Sequence, residues 1–591
     1  MFSQPQQVRN GQQTTSQIFA GQLPTKGINT RDAYARMAPD DAIDLINVVS
    51  DSYGMSTRFG FQEFAINLPG SKAVPTLMSY YPAPAHANIE PAGVKPYGQL
   101  QLKRPRAASP ILGGTLFACT NGTVFDVTGG GVGPWVAQPN VSGRTTDYWS
   151  WLNYQNEASN FLCACNEDGG YYTYGGAGFS SGFSSGFSTS VSGFTHVVQG
   201  SLPGQINNVN PETFVYVASW KRRLWFIEKD SSRAWYLPAQ QITGAATLFD
   251  FGANFRHGGR LVALVSWAAD GGEGLDDYLV AFSSQGDVVI YKGTDPDSID
   301  TFGIRGIWYV GVLPRGSRCV DPIGGDVHVL STTGLTQLSK LMAMGQIAAE
   351  VTEQSGSRID PLIRQYMETM ANFEGWYVKY IPHEQMVFVG VPQMVSNQGP
   401  TQLVLKIRQN AWSRYQGIPM DVIANHDQAV VSGGNVSAPS LFGGGRVFQM
   451  FDNSLDFVTI AGGSSTSNGT MIKCRLVGAY QDFGTPGMFK NFNMVRPTFI
   501  APLQPLVKLT LLTDYGQSYQ FTTPTLPSPP NSRWNVSNWD QALWVGMSRP
   551  IKKWLGINGG GYSGTAQIDY VAAGGTRITA IDYNTEEGGP L

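Results

Sequence analysis

Four short runs of residues follow one another within Trp376–Gly417, and they decide the fold: Trp376-Tyr-Val-Lys-Tyr380, Met386-Val-Phe-Val-Gly-Val391, Leu403-Val-Leu-Lys-Ile-Arg408 and Ala411-Trp-Ser-Arg-Tyr415. Each run is rich in β-branched and aromatic residues, and turn-forming residues separate the runs, as between the strands of an antiparallel sheet. Four such strands are enough for one blade of a β-propeller. Because one blade cannot bury both of its faces alone, further blades must pack beside it.

The same pattern recurs between Leu116 and Asn453. The clearest copies are Leu116–Val127, Tyr278–Tyr291 and Leu441–Phe451, in which an apolar strand, a turn with Gly, Asn or Asp and an aromatic-bearing strand follow one another. Further hairpins are predicted to begin at Phe161, Arg223, Asp326 and Trp376, so that successive starts lie roughly 45 to 65 residues apart. We predict an all-β protein with a propeller of six to eight blades. A large β-sandwich is the alternative, because no signature such as Trp-Asp marks the blades.

The composition agrees with a tightly turned, weakly charged β protein. The 591 residues include 70 Gly and 35 Pro, 12% of them are aromatic, and only 14% are charged. Such a surface suits contact with other proteins. The formal net charge is −3, from 40 basic and 43 acidic residues, so the chain lacks the positive excess that tight binding of nucleic acid needs.

The cysteines and the first residues indicate where the chain folds. Five cysteines, an odd number scattered along the chain, do not resemble a disulfide framework, and we expect free thiols in a reducing cytosol. The segment Met1–Arg9 has no apolar core of a signal peptide, and the longest apolar stretch, near Leu261–Ala269, is too short to span a bilayer. Neither secretion nor a membrane span is expected.

Changes in composition divide the chain into four zones. Residues 1–30 are rich in Gln, Thr and Gly, and we expect a strap or arm there that orders against a partner. Residues 31–102 form an irregular lead-in predicted to pack on an additional domain. Residues 103–458 are predicted to form the propeller, and residues 459–591 an antiparallel β domain.

Two segments within these zones have specific expectations. In the lead-in, Asp40 could cap a short helix, or Ile43 and Leu45 could alternate on a strand, and the pattern does not separate these alternatives. In the propeller zone, Asp360–Met370 has Pro at its second position and apolar residues at helical spacing, which predicts one amphipathic helix.

Aromatic residues provide the candidate partner contacts. The insertion Gly178–Ser188 repeats Gly-Phe-Ser-Ser and is either a flexible loop or a protrusion that docks on another protein through Phe179, Phe183 and Phe187. Four tryptophans, Trp534, Trp539, Trp544 and Trp554, fall close together in the last zone. Tryptophan clusters form cores or anchor contacts, and Trp539 and Trp544 are the candidates for contact.

The motifs that usually carry chemistry are incomplete in this sequence. Cys163 and Cys165 lie on one face of a strand without the further ligands of a zinc site, and buried free thiols are expected. The acidic run Asp295–Asp300 lacks the glycine and distal glutamate of a calcium loop and predicts a capped turn. The basic runs Lys103–Arg106 and Lys221–Arg223 predict solvated loops or salt-bridged edges. We therefore predict no catalytic, metal or cofactor site, although a carboxylate pair could still meet across a propeller channel.

The two ends of the chain resemble a known family. Gly27-Ile-Asn-Thr-Arg31-Asp32, Met37-Ala-Pro-Asp-Asp-Ala42 and Gly54-Met-Ser-Thr-Arg58-Phe-Gly60 resemble the start of the tail nozzle proteins of short-tailed bacteriophages, also called packaged-DNA stabilisation or tail tubular proteins. The closing Ile581-Asp-Tyr-Asn-Thr-Glu-Glu587-Gly588-Gly589-Pro-Leu591 is similar to the end of the same group. The hairpin that begins at Leu116 looks like its first blade. The Gly-Phe-Ser-Ser insertion and the tryptophan cluster match no pattern of the family.

The resemblance implies a structural protein of the virion tail, made in the host bacterial cytoplasm. Six copies would form a homohexameric ring below the portal adaptor, retain the packaged genome and form the channel for its ejection. Its partners would be the adaptor above, tail fibres or a plug or needle protein, and genomic DNA that passes without specific binding. A near-neutral chain suits a tube through which a polyanion slides. The alternatives are a receptor- or glycan-binding propeller protein of the virion and a propeller glycosidase or lyase.

Overall fold

The computed structural model describes residues 16–70, 72–82, 114–156, 159–175, 193–268, 277–298, 300–344, 358–392, 401–427, 429–434, 445–459, 469–520 and 548–588. The chain forms two compact units. The first, here called the propeller, comprises Phe59–Ile407 and Arg414–Thr470. The second, here called the β domain, comprises Met1–Arg58, Arg408–Ser413 and Met471–Leu591.

Forty strands and two α-helices are formed by the described residues. Those before the propeller are β1 (Ser16–Gly21), β2 (Ala42–Ile46), β3 (Val48–Asp51) and β4 (Gly54–Thr57). The next are β5 (Gly60–Ala65), β6 (Thr76–Tyr80), β7 (Thr115–Thr120), β8 (Thr123–Asp126), β9 (Trp149–Gln155), β10 (Asn160–Asn166), β11 (Tyr171–Gly175), β12 (Thr195–Val197), β13 (Ile206–Asn207), β14 (Phe214–Trp220), β15 (Arg223–Glu228), β16 (Arg233–Tyr236), β17 (Gly244–Ala245), β18 (Thr247–Asp250), β19 (Leu261–Ala268), β20 (Asp277–Ser283), β21 (Asp287–Gly293), β22 (Phe302–Tyr309), β23 (Val320–Ile323), β24 (Asp326–Ser331) and β25 (Gly334–Gln337). The helices α1 (Leu338–Met344) and α2 (Asp360–Met370) follow, and then β26 (Tyr377–Ile381), β27 (Met386–Val391), β28 (Thr401–Lys406), β29 (Ala411–Tyr415), β30 (Met420–His426), β31 (Ala429–Gly434) and β32 (Val447–Asn453). The last strands are β33 (Ile472–Gly478), β34 (Lys490–Ala501), β35 (Leu506–Thr513), β36 (Gln517–Gln520), β37 (Arg549–Lys552), β38 (Leu555–Gly561), β39 (Gly564–Ala572) and β40 (Arg577–Glu587).

The propeller is a ring of antiparallel sheets, as the sequence predicts. Within the described residues there are seven such sheets, here numbered in order: β6-β7-β8, β9-β10-β11-β12, β14-β15-β16-β18, β19-β20-β21-β22, β23-β24-β25, β26-β27-β28-β29 and β30-β31-β32-β5. The first strand of each is the inner strand. Consecutive inner strands contact one another, and β30 contacts β6, so the ring closes.

Apolar cores lie between neighbouring sheets, which is why both faces of most strands are buried. Between sheets 2 and 3, Tyr171 and Phe226 have ring centroids 4.6 Å apart, and Phe226 stacks on Phe214. Trp220 and Trp225 belong to the core between sheets 3 and 4. Aromatic residues thus contribute large buried side chains to the cores between these blades, together with aliphatic residues such as Val217 and Leu224.

Sheet 7 closes the ring with a strand from the beginning of the propeller. Its outer strand β5 pairs with β32 in the register Gln62↔Gln449 and Phe61↔Met450. The carboxylate of Glu63, buried within β5, forms an ion pair with Arg446. Because β5 and β6 belong to the propeller, the expected lead-in of residues 31–102 and propeller start at residue 103 are wrong, and the propeller begins at Phe59.

The β domain is an antiparallel sandwich formed from the terminal regions, as predicted. In one sheet, β2-β33-β39-β35-β36 are five consecutive members of a nine-stranded order. The other sheet places β40 next to β34, with β1, β3 and β4 on one flank and β37 and β38 on the other. The sheets face one another across Tyr570 of β39, whose ring centroid lies 5.5 Å from that of Phe499 in β34. Tyr583 of β40 accepts a hydrogen bond from the Ala566 amide at 3.1 Å.

Several local predictions can be compared directly with this fold. The hairpins predicted at Leu116, Tyr278 and Trp376 are β7-β8, β20-β21 and β26-β27, and the helix Asp360–Met370 is α2. The open choice after Asp40 is resolved as the strand β2, while the Asp40 carboxylate pairs with Lys26 at 2.9 Å. Among the described helices none is long and apolar enough to cross a membrane.

Candidate functional site at the mouth of the propeller channel

The mouth of the central channel is the candidate site, because the ends of the inner strands from every blade converge there. At the amino ends of the inner strands, Pro75 directly precedes β6, Tyr148 directly precedes β9, and Arg318 lies two residues before β23. These residues belong to sheets 1, 2 and 5. Sheet 5 is adjacent to neither of the other two in the ring.

The side chain of Arg318 connects blades at this mouth. Its guanidinium donates a hydrogen bond to the Pro75 carbonyl and lies over the Tyr148 ring, 4.6 Å from the centroid. The Arg318 carbonyl accepts a hydrogen bond from the Val378 amide of β26 at 2.9 Å. One residue therefore joins four different blades through contacts that are electrostatic as well as steric.

Tyr148 and Glu167 complete the arrangement. Burial raises the pKa of the Tyr148 phenol to about 12, although the nearby Arg318 opposes this rise. Glu167 donates its amide to the Tyr148 carbonyl at 3.0 Å and accepts a hydrogen bond from the Ser317 hydroxyl at 2.7 Å. The phenol therefore remains protonated at neutral pH, and the Glu167 carboxylate is hydrogen bonded beside it.

Two further carboxylates on this side of the propeller are ion-paired. Asp321 of β23 accepts hydrogen bonds from the Lys379 ammonium and the Tyr380 amide, both at 2.9 Å. Glu374 pairs with Arg315 at 2.8 Å. No cluster of three or more His, Cys, Asp or Glu in the described part of the chain could hold a metal ion.

The family-like residues at the start of the chain form a hydrogen-bonded turn. Asn29 accepts the amides of Arg31 and Asp32 at 3.1 Å, and its own amide donates to Asp32 at 2.8 Å and to Asp41 at 2.7 Å. Arg31 pairs with Asp32 at 3.0 Å. The structure thus brings together two of the three amino-terminal motifs through one buried asparagine.

The third motif is anchored elsewhere. Arg58 is buried, and its Nε donates to the Asn47 side chain at 2.9 Å. Gly60 begins β5 where a Cβ atom would lie 2.0 Å from the carbonyl oxygen of Leu455. Both residues therefore serve the packing of their own unit.

At the carboxyl end, Glu587 accepts a hydrogen bond from Thr485 at 2.8 Å, and the Gly588 amide donates to the Phe489 carbonyl at 2.8 Å. Beside them lies Lys490, fully buried, whose Nζ donates to the carbonyls of Thr485, Met488 and Tyr562 at 2.6, 3.0 and 3.1 Å. Burial lowers the pKa of this ammonium group. The family-like tail thus covers a buried cation held by backbone carbonyls.

The remaining sequence candidates divide into two sets. All five cysteines are free and buried, the Asp295 carboxylate accepts the Asp297 amide at 3.3 Å in a turn, and Arg223 pairs with Asp295 at 3.0 Å, as predicted. The basic run 103–106 lies outside the described residues. So do the five candidate contacts and one family-like position: Phe179, Phe183, Phe187, Trp539, Trp544 and Gly589.

Sequence reasoning missed Arg318, Tyr148 and Lys490. Arg318 stands in Arg315-Gly-Ser-Arg318, which reads as an ordinary loop, and only ring closure brings it to Pro75. The sole signal was position, since loops that lead into inner strands converge on the channel.

No protein-family model matches this chain, and no curated protein matches it. Among solved structures, it is similar to an exo-β-1,3-galactanase from Phanerochaete chrysosporium in complex with galactose, at 10% identity over 74% of this chain and 95% of that one, with a TM-score of 0.23. It is also similar to YCF48 bound to a D1 peptide, at 10% identity over 57% and 74% of the two chains and a TM-score of 0.23. A third is a putative 6-phosphogluconolactonase from Bacteroides uniformis, at 12% identity over 56% and 86% and a TM-score of 0.29. Likeness at this level carries no argument about activity.

Proposed function

We propose that this protein is a structural, non-enzymatic subunit of a bacteriophage tail, in which six copies form a nozzle ring below the portal adaptor. The ring would retain the packaged genome and form the channel for its ejection. The observation that supports a structural role best is the mouth of the propeller, where Arg318, Tyr148 and Glu167 make contacts between blades. Enzymes and receptors, in contrast, use such concave sites to bind ligands.

The family-like residues support the same role because they stabilise the subunit. Asn29, Arg58 and Glu587 each make hydrogen bonds within the β domain. The first two residues stabilise its amino-terminal segment, and Glu587 stabilises its carboxy-terminal segment. A ring subunit needs such a domain, since it must keep its shape while force and nucleic acid act on the assembly.

The route of the DNA follows from the same geometry. Because Arg318 links blades across the amino-end mouth of each propeller, the genome would pass through the lumen that six copies surround and not through the channel of one propeller. The propellers would form the wall, and the β domain would link neighbouring subunits or meet the adaptor. Loops would attach tail fibres or a plug or needle protein. The net charge of −3 suits a wall that does not hold DNA.

Sedimentation velocity tests this proposal with the purified chain alone and mixed with phage tails stripped to the adaptor ring. Six copies should sediment with each stripped tail. A variant lacking residues 1–21 is the control for contacts made by the first strand, and it leaves the buried Ile28 and Asn29 in place. A chain that never joins the tails, and that binds or cleaves cell-surface glycan, would instead support the receptor or glycosidase alternative.

A further inference from the structure

One flank of β40 has a slot that, among the strands of the described residues, only β1 fills. On this flank β4 pairs with Ile578 and Arg577, and β1 then pairs with residues 581–586. The opposite flank is occupied by β34 along almost its whole length. Without β1, six consecutive residues of β40 would have no strand on this flank, and their backbone groups would be available to another extended segment.

Few side-chain contacts hold β1 in this slot. Ile18 is 61% exposed, and its neighbours in the strand are exposed or half-buried. Between described residues, the side chains of β1 make a ring contact, Phe19 with Phe483 at 5.5 Å, and a hydrogen bond, from Ser16 to Asn584 at 2.7 Å. The backbone ladder therefore supplies most of the attraction, and a ladder is the same whichever copy of the chain provides the strand.

The slot nevertheless selects this segment. Gly21 pairs with Ile581, and a Cβ atom at that position would lie 2.5 Å from the Tyr583 ring. A segment without glycine at this position could not lie as close to β40. The register of β1 is thus fixed by a residue that the segment itself carries.

A short hinge separates β1 from the fixed part of the β domain. Gln22 exchanges hydrogen bonds with the Gln481 side chain at 3.2 and 3.3 Å. Beyond the hinge, Lys26 pairs with Asp40 and Gly27 packs on Trp412. Residues 22–25 could therefore redirect β1 while residue 27 and those after it keep their positions.

We infer that β1 is an exchangeable strand, which in the assembled ring leaves its own β40 and pairs with β40 of a neighbouring copy. This inference rests on the ring proposed above. Each copy would give one strand and receive one, so the exchange would close around the ring with no slot empty. The link would consist of backbone hydrogen bonds, which depend little on salt.

Disulfide formation between two variants, each with one added cysteine, tests the inference. Ile18→Cys and Asn584→Cys face each other in the ladder, and directly opposed strand residues have Cα atoms about 4.5 to 5.5 Å apart, within the range for a disulfide. The five natural cysteines are buried and should not interfere. When the two variants are mixed, co-assembled with stripped tails and oxidised, only exchange between copies can join them. The pair Val136→Cys with Asn584→Cys measures chance collisions, since Val136 is exposed on the propeller.

Exchange predicts a covalent dimer from the mixture at a rate at least about tenfold above the collision pair. The chain carrying both Ile18→Cys and Asn584→Cys should then form species up to hexamers. Rings in which that double variant forms only internal disulfides would overturn the exchange but leave the nozzle function standing. Internal disulfides without any ring would overturn both. If either variant fails to fold, Ser16→Cys with Glu586→Cys provides a second opposed pair.

Discussion

The ion pair between the buried Glu63 and the partly exposed Arg446 should determine how firmly the propeller ring is closed. Glu63 lies on β5, the strand that completes sheet 7, and its side chain is 1% exposed. The variant Glu63→Gln removes the negative charge that Arg446 faces in this ion pair. Removal of one member of a buried pair typically costs about 3 to 5 kcal/mol.

This cost should appear as easier local opening of sheet 7. A free-energy change of about 1.4 kcal/mol corresponds to a factor of ten in an equilibrium constant. Backbone amides that exchange through local opening should therefore exchange roughly 10² to 10³ times faster or more in β5 and β32. Hydrogen–deuterium exchange with mass spectrometry on peptides from Gly60–Ala65 and Val447–Asn453 measures this directly.

Two variants provide the controls. Asp230→Asn breaks the exposed pair between Asp230 and Arg260, which should change stability by less than about 1 kcal/mol. The double variant Glu63→Leu with Arg446→Met removes both charges and should recover part of the loss. If Glu63→Gln and Asp230→Asn changed exchange in β5 equally, the ion pair would not hold the closing strand and the reasoning would be wrong.

Three further predictions concern the packing of both units. Lys490→Met should destabilise the β domain by about 3 kcal/mol, because three carbonyls lose a charged hydrogen-bond donor. Lys508→Met, at an exposed position, should leave stability unchanged. Urea unfolding of the two variants measures the difference. Gly60→Ala should lower the melting temperature by several degrees through its backbone clash, and Gly129→Ala, which meets nothing within 4 Å, should leave it unchanged. Burial raises the pKa of the Cys163 thiol to about 12, so folding favours the protonated thiol, and its contribution to stability should be complete below about pH 9 and decrease between about pH 9 and 12. A series of melting temperatures at increasing pH should therefore fall less steeply for Cys163→Ala than for the natural chain, and parallel curves would contradict this.

Local pattern was sufficient to predict the blades. Strands such as Met386–Val391 are rich in β-branched and aromatic residues, and turn-forming residues separate them from their neighbours. The hairpins and the all-β class can therefore be predicted from residues that are close in sequence. The helix α2 was equally local, since Pro361 and the spacing of Ile363, Met367 and Met370 define its start and its buried face.

What the sequence could not predict depends on contacts between distant residues. β5 and β6 stand in an irregular, proline-containing stretch, and their membership of the propeller becomes clear only when β5 pairs with β32, almost 400 residues later. Arg318 reaches Pro75 by the same closure. Neither pairing has a local sequence signal, because the partners are far apart in the sequence and meet only when the ring closes.

The account can be tested most directly by electron microscopy of the purified chain, alone and with tails stripped to the adaptor ring. We expect class averages with sixfold symmetry around a central hole, in which each of the six subunits has its own propeller. Single subunits in both samples would contradict the nozzle proposal, and assays of glycan binding and hydrolysis would then become the way to identify the function.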